Sequence, residues 1–248
     1  MPIPSEKELI TNACHFGHRK EKWNPKMKQY LYGVRRGIHI FDLTQTKKKL
    51  EEVCNALKKL QDEGKTILFV STKQQSIPLI EHIAMTLGQP MVTKKWIPGL
   101  LTNWSTIKRR LKYYLDLQRS FQTGEVEKYT KKEQTELRKK LAKLDIALAG
   151  VSKMTGLPDA VFVLDAIRDR VAVLEAAKLK VPLYGICDSN ADPELFTAFI
   201  PANDDAVKSI TLILHTLESE LGSGKKVPAA KPEGRKEIPS EMREKMAA

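Results

Sequence analysis

Histidine, cysteine, basic and aromatic side chains are concentrated near the start of the chain, in a segment that also contains glycine and proline. His15 and His18 lie three residues apart beside Cys14, and imidazole and thiolate groups are ligands that zinc prefers. No second Cys or His pair with zinc-finger spacing follows in the sequence, which argues against a zinc finger. Two interpretations remain: contact with RNA through cations and stacking rings, or a capped structural loop. The RNA-binding candidates of this segment are Arg19, Lys22, Trp23, Lys26, Lys28, Arg35 and Arg36.

A second cluster of basic and aromatic residues lies between positions 94 and 110. Five basic residues and two tryptophans fall within these seventeen positions. A solvated basic face with structural tryptophans is one interpretation, but the density of cations favours contact with phosphates. The candidates are Lys94, Lys95, Trp96, Asn103, Trp104, Lys108, Arg109 and Arg110, and Lys73, which follows an apolar run, is added to them.

Acidic residues follow several apolar runs. Asp188, Asp204 and Asp205 come after the last two runs, and the carboxyl ends of parallel strands meet at one edge of a sheet. We expect these carboxylates to converge there with His18, where they would hold a structural divalent ion or bind a basic partner. Oxygen ligands favour magnesium, and a histidine admits zinc. No other cofactor is predicted.

The same strand ends make a nucleotide-binding or metal-dependent α/β enzyme the main alternative. The sequence lacks the glycine-rich dinucleotide motif after the first apolar run, a phosphate-binding Gly-x-x-x-x-Gly-Lys loop and a Gly-x-Ser-x-Gly elbow,. Asp and Asn residues at these places also serve as helix caps and turn formers. The sequence therefore predicts no catalytic residues, no small-molecule substrate and no enzymatic activity.

Short apolar runs alternate with helical patterns along the chain. Continuous apolar runs are typical of strands that helices cover on both faces. Apolar spacing indicates helices after these runs, including one built on Val171, Leu174 and Ala177. The alternation predicts a doubly wound α/β fold with a mainly parallel sheet. The five runs are Ile38–Phe41, Thr66–Val70, Ala160–Leu164, Pro182–Cys187 and Ala198–Ile200.

Residues 105–150 interrupt this alternation. Two helical patterns with a narrow apolar seam, through Leu111 and Leu141 among others, predict an antiparallel coiled-coil hairpin inserted into the sheet domain,. Residues 1–104 and 151–221 would then form a discontinuous α/β domain. The stretch 222–248 has no apolar period and is predicted to be a disordered charged tail,.

The charge is large and unevenly distributed. The formal net charge is +12, which indicates a polyanionic partner, most commonly nucleic acid. Residues 105–150 carry twelve basic and six acidic residues, whereas residues 151–221 carry six basic and eleven acidic ones. Three scattered cysteines indicate a reducing compartment, and the apolar runs are too short to span a membrane, so no membrane contact is predicted.

Taken together, the motifs resemble those of the second protein of the small ribosomal subunit in its bacterial and organellar form. The resemblance covers residues from about 9 to 220. Each motif alone is modest, but the ordered set with these gaps is specific. The motifs are His15-Phe16-Gly17-His18, Trp23-Asn24-Pro25-Lys26-Met27, Gly37 to Leu43, Phe69 to Lys73, Trp96 to Asn103, Leu157-Pro158-Asp159, Asp188 to Pro193 and Ile200 to Ala206.

The resemblance implies a Rossmann-like or flavodoxin-like domain with a protruding coiled-coil hairpin. It implies a structural protein that binds small-subunit rRNA and supports assembly and translation. The implied partners are neighbouring small-subunit proteins, including the large mRNA-binding protein that the family helps to recruit. A bacterial cytoplasm is the expected location, with an organellar ribosome as the alternative. A free RNA-binding protein remains a further alternative to the ribosomal role.

Overall fold

The computed structural model describes residues 3–222, so the predicted tail lies outside the described residues except for Gly222. The strands are β1 (Phe16–Arg19), β2 (Leu31–Arg35), β3 (Ile38–Phe41), β4 (Ile67–Val70), β5 (Met91–Val92), β6 (Ala160–Val163), β7 (Leu183–Cys187) and β8 (Ala198–Pro201). The helices are α1 (Glu6–Thr11), α2 (Leu43–Asp62), α3 (Ile77–Leu87), α4 (Trp104–Gln122), α5 (Lys131–Leu148), α6 (Arg170–Lys178) and α7 (Val207–Leu221).

The main sheet has five parallel strands in the order β5-β4-β6-β7-β8. Every residue of β4 and of β6 is buried, as expected where helices cover both faces. The chain leaves β4 towards one edge of the sheet and returns to add β6 on the other side. The predicted doubly wound, Rossmann-like α/β fold is therefore confirmed.

Alternate residues of each central strand enter two separate cores. Phe69 and Phe162 pack with the apolar faces of α2, α3 and α7. On the opposite face, Val70 and Val163 pack with α6 and with residues 96–111. The two-residue period of the strands thus divides one set of apolar runs between two helical layers.

A second, smaller sheet lies at the beginning of the chain. β3 pairs antiparallel with both β1 and β2, giving the order β1-β3-β2. The apolar run Ile38–Phe41 is a strand, but its place in the parallel sheet was predicted wrongly. It pairs with neighbours in sequence because a tight turn at Arg36 and Gly37, both with positive φ, brings β2 back beside it,.

Helices α4 and α5 are consecutive, pack on each other and occupy most of residues 105–150. The hydroxyl of Tyr114 donates to Asp145 at 2.7 Å across the pair. At the end nearest the sheet, the two helices do not pack on each other alone. Ile107, Leu111 and Leu148 belong to the main core on the α6 side of the sheet. Towards the tip, Leu137 is only partly buried. The division into two domains stays a prediction.

The inner face of α6 differs from the one its apolar spacing suggests. Ala172, Val173 and Ala176 are buried against the sheet, whereas Val171 and Leu174 are exposed. Glu175 occupies a buried position on the inner face. The apolar residues used to predict this helix therefore mark its outer side.

We predict that truncating the base of the hairpin destabilises the whole protein. Leu111→Ala should cost about 2–5 kcal/mol of unfolding free energy, because Leu111 is fully packed into the main core,. Leu137→Ala is the matched control and should cost less, since its side chain lies on the half-exposed distal seam. Urea unfolding followed by circular dichroism measures both, and equal costs would contradict this placement of the core.

Candidate functional site

The carboxyl ends of β4 and β6 are adjacent, at the point where the direction of strand addition reverses. Doubly wound sheets usually bind ligands in the crevice that opens there. In this protein Lys73 follows β4 and fills the place. Its ammonium lies 3.1 Å from Asp165 Oδ2, 3.3 Å from Asp204 Oδ1 and 2.6 Å from Asp205 Oδ1. It also donates to the Asp204 carbonyl at 2.7 Å.

Lys73 is buried, with 8% of its surface exposed. Burial disfavours its charge, but the carboxylates of Asp204, Asp205 and Asp165 outweigh burial and raise its pKa. The ammonium is therefore held inside the protein by a surplus of negative charge. Lys73 was predicted to bind RNA, and this prediction is corrected here. Four oxygen atoms of Asp165, Asp204 and Asp205 surround its ammonium group, which leaves no N–H accessible to a phosphate.

The beginning of the chain closes over the same edge of the sheet. The amide of His18 donates to Ser189 Oγ at 2.8 Å and to Asp188 Oδ1 at 3.2 Å. A Cβ on Gly17 would come within 2.9 Å of Ser189 Oγ, so glycine permits this close approach. Asn203, which follows β8, also binds the N-terminal segment, because its backbone amide donates to the Cys14 carbonyl at 3.1 Å.

The predicted convergence of His18 with the strand-end acids is present. His18 Nδ1 lies 3.0 Å from Asp188 Oδ2, and Nε2 lies 3.6 Å from Asp205 Oδ2. His18, Asp188 and Asp204 each offer one ligand atom, and these atoms lie within 4.8 Å of one another. One imidazole and two carboxylates form a donor set that suits a divalent cation.

Electrostatics at this cluster favour protonation. The hydrogen bond to Asp188 outweighs burial and raises the pKa of His18 to about 9. Burial, followed by repulsion from Asp165 and Asp188, raises the pKa of Asp204 to about 8. Asp205 behaves differently, because the hydrogen bond from Lys73 overcomes the effect of burial and lowers its pKa. The cluster therefore carries more negative charge than its two cations neutralise.

Glu175 organises the loop before α4, a role that sequence reasoning missed. Its carboxylate accepts from Trp96 Nε1 at 3.0 Å, from the amides of Gly99, Leu101 and Thr102 at 2.7, 3.0 and 3.1 Å, and from the Thr102 hydroxyl at 3.1 Å. Burial opposes its charge, but these donors lower its pKa. Trp96 is buried, so its assignment to RNA is corrected. The one sequence signal that could have indicated this role of Glu175 is an acidic residue placed among the alanines of α6.

The remaining candidates lie nearer the surface. Trp23 is half-buried and stacks on His39, with ring centroids 5.0 Å apart. Trp104 is also half-buried and packs against the core. Lys26 is exposed but pairs with Asp192 at 2.9 Å and with Glu194. The exposed candidates without an ion pair among residues 3–222 are Arg19, Lys22, Lys28, Arg35, Arg36, Lys94, Lys95, Lys108, Arg109 and Arg110, and Asn103 is exposed as well.

Comparison with known proteins gives the family. A family model described as Ribosomal protein S2 matches residues 9–224. The chain belongs to this family. A curated relative, the small ribosomal subunit protein uS2 of Microcystis aeruginosa, is 40% identical over 226 residues, which are 91% of this chain and 85% of that relative. The family resemblance inferred from the sequence is therefore confirmed.

Membership identifies a structural protein of the small ribosomal subunit and not an enzyme. Ribosomal RNA and other ribosomal proteins are its general partners. The filled crevice at the switch point agrees with this, because Lys73 and Asp165 occupy the place where a doubly wound enzyme would bind its ligand. Within residues 3–222, no helix has the length and apolar character needed to cross a membrane.

We predict that the docking of the N-terminal segment weakens as the pH rises. The folded-state pKa of His18, about 9, exceeds its ordinary value of 6.5, so its stabilisation is fully present below 6.5 and is lost as the pH approaches 9. The melting temperature of the protein in EDTA should fall between pH 6 and 9, and this fall should be smaller in His18→Gln. His82→Gln, at an exposed histidine, is the control, and an unchanged pH dependence in His18→Gln would contradict the assignment.

Proposed function

We propose that the protein binds rRNA through the exposed cations among its sequence-predicted candidates and of its hairpin, and that it supports assembly of the small subunit. The observation that carries this proposal is the sorting of charge between interior and surface. Five acidic residues in the described chain are buried, against a single buried cation, Lys73. The exposed surface is therefore more basic than the composition alone indicates, and a basic surface attracts the phosphates of RNA. The buried acids are Asp165, Asp169, Glu175, Asp188 and Asp204.

The hairpin supports the proposal most directly. All twelve of its Lys and Arg residues are exposed, and none of them forms an ion pair in the described part of the chain. Lys108, Arg109 and Arg110 lie at the start of α4, next to the loop that Glu175 fixes. A rigid loop holds these cations at defined positions, so less conformational entropy is lost when they meet phosphates. Such contacts fix position and orientation more than they read base sequence.

The family resemblance supplies two finer proposals. The first is that the protein helps to recruit the large mRNA-binding protein of the subunit. An exposed apolar surface on the small sheet, with Tyr32 85% and Val34 53% exposed, is suited to a protein partner,. The second is that the ribosome concerned is bacterial and cytoplasmic, with an organelle as the alternative. Sedimentation of cell extract tests the ribosomal role, because a free RNA-binding protein would not co-migrate with small subunits.

We predict that the cations at the start of α4 contribute to the salt dependence of rRNA binding. Replacing Lys108, Arg109 and Arg110 with Gln should reduce the slope of log K against log salt by up to about three units, because each phosphate contact releases counterions. The matched control replaces Lys47, Lys48 and Lys59 on α2 and should leave the slope nearly unchanged. Filter binding to small-subunit rRNA measures it. Equal slopes in both triple variants would contradict a directed interface.

We also propose that a structural divalent cation binds among His18, Asp188 and Asp204. The prediction is a stoichiometric metal in the purified protein and a rise in melting temperature on adding zinc or magnesium. His18→Gln should abolish the rise for zinc, and Asp188→Asn should abolish it for both metals. Metal analysis and thermal shift decide the proposal. Absence of metal together with no shift for either ion would overturn it.

A further inference from the structure

The outer face of α6 carries an apolar stripe that nothing in residues 3–222 covers. Ile167, Val171 and Leu174 are 48%, 48% and 46% exposed. They follow one another at intervals of four and three residues, which places them on one side of a helical segment. The amide of Asp169 donates to the Asp165 carbonyl at 3.1 Å, so the helical turn already exists at Ile167. A contiguous exposed apolar stripe of this kind marks an interaction surface more often than a scattered residue does.

The exposed charges of the segment that carries this stripe have one sign. Arg168, Arg170, Lys178 and Lys180 are exposed, and none of them forms an ion pair within the described residues. The acidic residues of the same segment point inwards. Asp165 pairs with Lys73, Asp169 accepts from the amide and hydroxyl of Thr72 at 3.0 and 2.7 Å, and Glu175 holds the loop before α4. The cations beside the stripe are therefore exposed, whereas the carboxylates of the same segment are buried.

This combination excludes three occupants. A second copy of the chain would bring two basic faces together. The chain's own residues 222–248 carry seven basic and four acidic residues, so they share the sign of the surface. RNA would suit the cations, but its phosphate backbone offers no apolar surface and its bases stack on aromatic rings, so it would leave the aliphatic stripe uncovered. The remaining complement is a protein segment with aliphatic residues on one face and carboxylates beside them.

We propose that the outer face of α6 binds an acidic amphipathic helix or loop of a neighbouring small-subunit protein. The aliphatic stripe buries the apolar side of that segment, as in groove-bound helices. The four cations meet its carboxylates and fix its direction along α6. The inference rests on the proposed ribosomal function, because the partner is a protein of the same subunit. It also explains why Val171 and Leu174 are apolar although they are exposed on the outer side of α6.

A photocrosslinking residue, p-benzoylphenylalanine, placed at position 171 or 174 tests the contact directly. Small subunits containing this chain are isolated on a sucrose gradient and irradiated, and the products are analysed by mass spectrometry. We expect a crosslink to a peptide of another small-subunit protein that is rich in Asp or Glu and in aliphatic residues. A crosslink to rRNA, or no crosslink in fully occupied subunits, would overturn the inference and leave the proposed function intact. Failure of the chain to enter subunits at all would overturn both.

A charge variant gives the second measurement. Val171→Asp with Leu174→Asp should lower the yield of that protein–protein crosslink, recorded from a probe at Ile167, by roughly tenfold or more. Met85→Asp on α3, where the side chain is 63% exposed, is the matched control and should leave the yield unchanged. Binding of the isolated variants to rRNA should also be unchanged. An undiminished crosslink in the double variant with normal melting would overturn the proposal.

Discussion

One buried ammonium group holds the carboxyl edge of the main sheet together. Lys73, which follows β4, is the only buried cation in residues 3–222, and the segments after β6 and β8 supply its carboxylate partners. Burying Asp165 and Asp204 without a cation would cost on the order of several kcal/mol each, so the loops after β4, β6 and β8 approach one another around Lys73. The first residues of the chain then dock on Asp188 and Ser189 beside this cluster. In this fold, the crevice where a doubly wound sheet usually binds a ligand is instead filled by ion pairs that connect its loops.

The same principle governs the distribution of charge over the molecule. Buried carboxylates hold loops in place from within, as Glu175 does with five donors and Asp169 does with Thr72. Their partners are mostly backbone amides, a lysine and hydroxyl groups, which leaves the other lysines and arginines for the surface. A chain with 30 acidic residues can thus present a strongly basic exterior. Structural rigidity and attraction for a polyanion arise from one arrangement.

The sequence was sufficient for four of the five strands of the parallel sheet and for the meeting of His18 with the strand-end acids. Continuous apolar runs mark buried strands, and parallel strands end at the same edge. The short strands β1, β2 and β5 were missed, because β1 and β2 have exposed positions and β5 has only two residues, so none of them gives a clear period. The roles of Lys73 and Trp96 were predicted wrongly, since composition does not reveal which cation or indole meets a buried carboxylate. The inner face of α6 was obscured by its alanines and by Glu175.

The contacts that dock the N-terminal segment join residues far apart in the sequence. His18 bonds to Ser189, 171 residues further on, and Asn203 reaches back 190 residues to the Ala13 carbonyl. Contacts at such separation form slowly because a long loop must close first. During synthesis, the N-terminal segment has no docking site until almost the whole described chain has left the translating ribosome. The small sheet of residues 16–41 can pair locally before then, but its docking on the main sheet must wait for residues 188–203.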